Sequence, residues 1–345
     1  MGQLATIDRR AAAWGVLAVV VTLAIAIVGS GNLRWFDAAL VGYLFGTLLM
    51  VFGVVYRYLV WLRRPPTAML NKRGWQVFRT RRPGRNLLTL PGLIVSQLLL
   101  QTFIRSRSTA RWLAHQLVFW GCILAALVTF PLVLGLLHFQ SVGQNGRQYQ
   151  AVVAGIETFS FDSRSLFGWI TFHLLNISAV LVLGGVFIFL SRRLRDPGAL
   201  AVERSNDFLA LAGLFAVSVT GLALTASNLW MEGRFYIFLN TIHALTVILG
   251  LAYIPFGKFF HIFQRPANVG VAYYKQAGAE GEQQTCRRCG EPWASKMQVD
   301  DLKVVLPQVG FDYRIGDDAH YQETCPRCRR ASVALAQSQR VGGFG

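Results

Sequence analysis

Charge is what this chain has least of. Only 15% of its 345 residues are Asp, Glu, Lys or Arg, against roughly a quarter in ordinary soluble domains. Acidic residues are the scarcest, 17 against 34 basic ones. A polypeptide so poor in charge and 53% hydrophobic has neither the surface of a single water-soluble globule nor the composition of a disordered chain. Cysteine is sparse too: five residues, four of them in two Cys-x-x-Cys pairs. That usage excludes a disulfide framework and points to a metal site. Internal repeats are lacking, which excludes a solenoid.

What is present is apolar length. Crossing about 30 Å of hydrocarbon takes about 20 apolar residues, and six segments qualify: 12–29, 38–62, 112–137, 166–190, 208–229 and 235–263. The first follows Arg9 and Arg10, lacks a small-residue cleavage site and reads as a retained span. The loops after the second and fourth spans are rich in Arg and Lys, whereas the opposite set holds only Arg34, Arg147, Arg164 and Arg234. Basic residues resist translocation, so the rich loops and both termini face the cytoplasm. Topology thus accounts for most of the formal charge of +17 and leaves no need for a nucleic-acid partner. The expected fold is an all-α membrane protein: a six-helix transmembrane bundle over residues 1–265 and a small cytoplasmic metal-binding tail over 266–345. The apolar stretch 87–104 is interrupted by Pro91-Gly92 and flanked by basic clusters; it reads as an amphipathic helix lying on the bilayer surface. The polar loop 139–165 is expected over the outer mouth of the bundle.

An ionisable side chain inside hydrocarbon is costly and suggests function. Four of the six histidines, His115, His173, His243 and His261, lie within or at the ends of spans, and His138 lies at the outer end of the third. His243 and His261 are 18 residues apart. That separation is about five helical turns, so the two share a face with about 27 Å of rise between them. Counted from the basic residues that bound each span, His173 and His243 lie at one depth near the outer surface, and His115 and His261 at another near the inner. A lone membrane histidine is more commonly a hydrogen-bonded packing residue; four at two matched depths suit two bis-histidine haems in a helical bundle. His138 competes with His173 for the outer iron. Arg111 and Lys258 at the inner end, and Arg164 and Arg234 at the outer, are placed to meet anionic propionates.

The run from His243 to Pro266, with Pro255, Lys258 and His261 inside it, resembles the final haem-binding helix of the respiratory nitrate reductase gamma subunit superfamily. That superfamily includes membrane cytochrome b subunits of heterodisulfide-reductase-like and sulfite-reduction-linked complexes. The resemblance is clearest over 112–266. It implies the cytochrome b subunit of a respiratory oxidoreductase complex in a bacterial or archaeal plasma membrane, relaying electrons between a quinone pool and an iron–sulfur or other redox partner. It carries His243 and His261 over as ligands of haem b. The superfamily places its other two ligands on one earlier helix, about three turns apart. Here the residue ten after His115 is Ala125, so a fourth ligand must come from another span. Polar candidates for a quinone site are His138, Glu157, Asp162 and Glu232. The alternative is a transporter, or a membrane anchor, with a structural zinc-ribbon tail; the absence of repeated halves speaks against transport.

In the tail, Cys286-Arg-Arg-Cys289-Gly290 and Cys325-Pro326-Arg-Cys328 are two knuckles able to complete a tetrahedral S₄ site in a module over 283–331. The intervening segment, with a helix expected at 299–309 and room for a short hairpin, has too little core to stand without a metal clamp. Zinc ribbons and rubredoxin share this pattern, so zinc and a rubredoxin-type iron both stay open. Cys122, alone in the third span, reads as packing.

Overall fold

The structure is a computed structural model that describes residues 7–81, 83–143, 146–196, 198, 205–315 and 319–341. The chain divides into two compact units, one of Met1–Leu59 and Leu100–Gln264, the other of Val60–Leu99 and Arg265–Gly345. Among the described residues the helices are α1 (Arg9–Gly29), α2 (Val41–Leu62), α3 (Pro65–Thr80), α4 (Pro83–Leu93), α5 (Thr102–Arg105), α6 (Thr109–Val133) and α7 (Leu166–Arg195). They continue as α8 (Ser205–Trp230), α9 (Tyr236–Tyr253), α10 (His261–Gln264), α11 (Pro266–Glu280), α12 (Lys296–Gln308) and α13 (Pro326–Val341).

Among the described residues six helices are long and apolar enough to cross a membrane: Arg9–Gly29, Ala38–Leu62, Thr109–Val133, Leu166–Arg195, Phe208–Trp230 and Tyr236–Tyr253. Three of them, α1, α6 and α7, start at short polar side chains that satisfy orphan backbone donors. Asp8 accepts from the N–H groups of Arg10 and Ala11, Ser108 from Arg111, and Ser165 from Gly168. Their outward faces are apolar: Phe45, Leu127, Val180 and Phe187 are all more than half exposed. An apolar surface of that extent is what a lipid environment tolerates and water does not.

Where apolar chains cover both sides of a helix, close packing depends on small residues. Ser178 donates to the carbonyl of Gly121 at 2.7 Å, and a Cβ on Gly185 would lie 2.6 Å from the carbonyl of Ala114, so α6 and α7 meet backbone to backbone. Along α2, Gly42, Gly46 and Gly53 receive Ile248, Leu251 and Pro255 of the α9 segment. Gly15 of α1 receives Phe52 of α2.

The structure corrects three expectations. The segment after the third span is not a loop: β1 (Leu137–Val142), β2 (Gln148–Val153) and β3 (Ile156–Asp162) form an antiparallel sheet in that order. Phe139, Tyr149 and Phe161 anchor it against Phe172 of α7. His138 therefore sits on β1, paired with Val152 and beside Trp35, because α6 stops at Val133. The chain is mostly helical rather than all-α. The last span is shorter than the predicted 235–263: α9 ends at Tyr253, since Pro255 has no N–H to continue the ladder. A 3₁₀ turn over Lys258–Phe260 follows before α10.

The second unit builds on α3, α4 and α11. Helix α4 runs into a π-helical turn, Ile94–Leu99, covering part of the stretch expected to lie on the bilayer. Asn86 donates to the carbonyl of Phe78 at 2.8 Å and accepts from the Tyr273 hydroxyl. Asp301 of α12 accepts from Tyr274 at 2.8 Å and from Arg73 at 2.7 Å. Burial and this carboxylate push the Tyr274 phenol well above its usual value. The hairpin of β4 (Gln283–Thr285) with β5 (Pro292–Ser295) precedes α12, and the short pair β6 (Arg314–Ile315) with β7 (Ala319–His320) follows it. The segment 60–99, which reads from sequence as a linker between spans, is thus grouped with the tail.

Candidate functional site

The break after α9 places His261 beside His115. His261 opens α10, and its Nδ1 lies 2.6 Å from the carbonyl of Lys258. A carbonyl only accepts, so Nδ1 carries the proton. The His261 ring faces His115 of α6 with ring centres 6.4 Å apart and planes at 73°. Two imidazoles held on opposite sides of one metal by bonds of about 2 Å have ring centres roughly 6 Å apart. The pair thus has the spacing that bis-histidine ligation requires.

His173 and His243, expected near the outer surface, each have their own hydrogen-bond partner. His173 of α7 directs Nδ1 to the carbonyl of Trp169 at 2.9 Å and stacks on the Trp169 ring. His243 of α9 has Nδ1 2.9 Å from the Thr220 hydroxyl, which donates its own proton to the carbonyl of Ala216 at 2.7 Å. The Thr220 oxygen is thereby open to accept from His243 Nδ1. Gly221 leaves room for the ring, since a Cβ there would lie 3.3 Å from its Cε1. Among the described ring contacts His173 and His243 do not meet. Instead α8 links them, through Thr220 to His243 and through Thr225, which donates to Asn176 at 2.8 Å.

Beside His173 opens a cleft of about 420 Å³, within the range of small-molecule sites. Its polar groups are His173, Asn176, Thr225, Asn228 and Tyr236, set among Phe172 and leucines. The expected quinone candidates lie elsewhere. Glu157 accepts from Gln140, Asp162 caps the turn at Arg164, and Glu232 lies in a left-handed turn. Of the four cations expected at propionates, Arg111 leans on the carbonyl of Arg107, the Arg164 N–H donates to Asp162, and Lys258 meets His261 through its carbonyl. The backbone carbonyl of Arg234 accepts from Ser227.

The four thiols form the second centre. Cys286 and Cys289 sit on the knuckle between β4 and β5, closed by Gly290 at φ +74°, while Cys325 and Cys328 enter the first turn of α13. All four sulfurs lie within 4.8 Å of one another, and Cys289 and Cys325 are 3.9 Å apart. Metal–sulfur bonds of about 2.3 Å in a tetrahedron put sulfurs roughly 3.8 Å apart. The backbone N–H groups of Arg288 and Cys325 donate to the Cys286 sulfur, and that of Cys328 to the Cys325 sulfur. The Cys325 N–H above all lowers the Cys286 thiol to about 6, while burial raises Cys328 to about 12. Four thiolates this close repel one another, and a cation at their centre removes the conflict. Trp293 packs against the cluster, with the Arg329 guanidinium 4.9 Å above its ring. This Cys₄ group could hold a metal ion such as zinc or iron. Cys122 is half-buried in α6 and belongs to the other compact unit.

Arg57, Asn176, Thr220, Thr225 and Asn228 escaped the sequence reading. Arg57 alone carried a signal, as the one Lys or Arg within 38–62. Comparison of the chain with protein-family models, curated proteins and solved structures finds no match.

Proposed function

We propose that the chain is a membrane cytochrome b subunit of a respiratory oxidoreductase complex. It is a six-helix transmembrane bundle with both termini in the cytoplasm, related to the nitrate reductase gamma subunit superfamily, that relays electrons between a quinone and an iron–sulfur or other redox partner. The observation that carries this reading is the His115–His261 pair, 6.4 Å apart, with the His261 tautomer fixed by Lys258. When bound, a b haem supplies one-electron redox chemistry. The protein's part is to hold imidazole nitrogens unprotonated toward the iron, to exclude water with apolar helices, and to keep Nδ1 protons on fixed acceptors. His173 and His243 are the ligands proposed for the second haem. The cleft at His173, with Asn176 and Tyr236 as hydrogen-bonding groups, is where a quinone headgroup fits best.

The Cys₄ module is proposed to hold zinc as a clamp on the tail, or iron as a further one-electron centre; metal analysis with a visible spectrum separates them. The transporter or anchor reading draws on the polar cleft alone. The deciding measurement is a reduced-minus-oxidised spectrum of the purified protein. A low-spin b-haem band, diminished in His115→Ala and His261→Ala, supports the proposal. A protein without haem absorbance overturns it in favour of the alternative.

A further inference from the structure

Within residues 38–62 the sole Asp, Glu, Lys or Arg is Arg57, a charge in an otherwise apolar segment, where ionisable groups are rare and costly. An arginine satisfied only by reaching the membrane surface would extend toward its helix end. Arg57 instead turns inward to the break after α9. Its guanidinium donates to the carbonyl of Pro255 and lies 4.3 Å from the centre of the Phe260 ring. Pro255 is fully buried and Phe260 is 2% exposed. Gly53, one turn before Arg57 on α2, lets Pro255 approach: a Cβ there would lie 2.7 Å from its ring. One side chain thus grips both flanks of the break, and the residue after Phe260 is His261.

We propose that Arg57 is the positioning residue of the His115–His261 site, an inference that rests on the haem reading above. It has two effects. The hydrogen bond and the ring contact fix where α10 starts and so where the His261 imidazole points. The guanidinium also places a fixed positive charge near that imidazole, which favours the reduced form of a metal bound there.

The experiment uses the full-length protein in detergent or nanodiscs, with His261→Ala identifying the spectral features of the inner haem. Arg57→Gln is expected to lower the midpoint potential of that haem, alter its low-spin electron paramagnetic resonance signal and leave the second haem unchanged. Arg57→Lys keeps the charge but cannot both donate in a fork and stack. It is expected to hold the potential near the wild-type value while still altering the resonance signal. Helical circular dichroism and the tail's metal content report that each variant is folded. Should Arg57→Gln fail to accumulate, the Lys variant decides alone: an altered resonance signal supports the proposal and an unaltered one overturns it. Wild-type potential and resonance in a folded Arg57→Gln overturn the inference and leave the haem reading standing. Wild-type protein without haem overturns both.

Discussion

The imidazole of His243 donates its Nδ1 proton to the hydroxyl of Thr220, 2.9 Å away on the preceding long helix. The Thr220 hydrogen is already committed to Ala216, so the direction of the bond is set, and with it the nitrogen that His243 presents. Such outer contacts commonly change metal affinity by about 10- to 100-fold when removed. Thr220→Val keeps the shape and deletes the acceptor. Haem retention at the outer site is expected to weaken by that order, with Thr220→Ser close to wild type. Haem-to-protein ratios after extended washing measure it, and unchanged retention in the Val variant refutes the role.

Gly185 brings α7 close to α6, beside the carbonyl of Ala114, the residue before His115. Adding a methyl group there forces the helices apart, at a cost of about 1–3 kcal/mol. Gly185→Ala is expected to lower thermal stability and to disturb the His115 haem. Gly74→Ala, where a Cβ meets nothing within 4 Å, is expected to be neutral or slightly stabilising. Melting curves of the two variants side by side check the contrast.

Cys325 is one of the four clustered thiols, 5% exposed and 3.9 Å from Cys289. Cys325→Ser is expected to reduce bound metal from about one ion per chain toward none. The same substitution is expected to make the tail protease-sensitive while haem absorbance is retained. Elemental analysis with limited proteolysis tests this. A fully metallated serine variant contradicts the site.

Burial, helped by the Lys303 ammonium, lowers the His320 imidazole below its ordinary 6.5. The folded tail therefore holds this ring neutral more firmly than the unfolded chain does. That contribution is present above pH 6.5 and is lost as the pH falls through the lowered value. The tail's melting temperature is expected to drop as the pH falls below 6.5, and His320→Gln to flatten that part of the curve. Equal slopes in wild type and variant exclude His320 as the source.

Much of this was legible in the residues. Long runs without charge mark the six membrane-competent helices, and the spacing of Cys286, Cys289, Cys325 and Cys328 marks the thiol cluster, because both signals are local and need no knowledge of neighbours. His115 and His261 were paired by depth, a one-dimensional argument that assumed a continuous helix; in the structure that helix is broken and the two rings lie 6.4 Å apart. The strands around His138 were not legible. Their register depends on Phe139, Tyr149 and Phe161 finding Phe172, and such aromatic contacts leave no periodicity to read. The grouping of α3 and α4 with α11 depends on Asn86–Tyr273 and Arg73–Asp301 contacts spanning about two hundred residues of chain, which no window of sequence contains.

Hydropathy and ligand spacing are properties of neighbouring residues, so the chain's composition was enough to establish apolar helices, a basic remainder and a thiol-rich tail. Which nitrogen each histidine presents is a different kind of fact. It depends on Lys258, Trp169 and Thr220 standing within hydrogen-bonding reach, and on Arg57 closing over a broken helix. Hydrogen bonds have a range of about 3 Å, and only the packed molecule brings such groups that close.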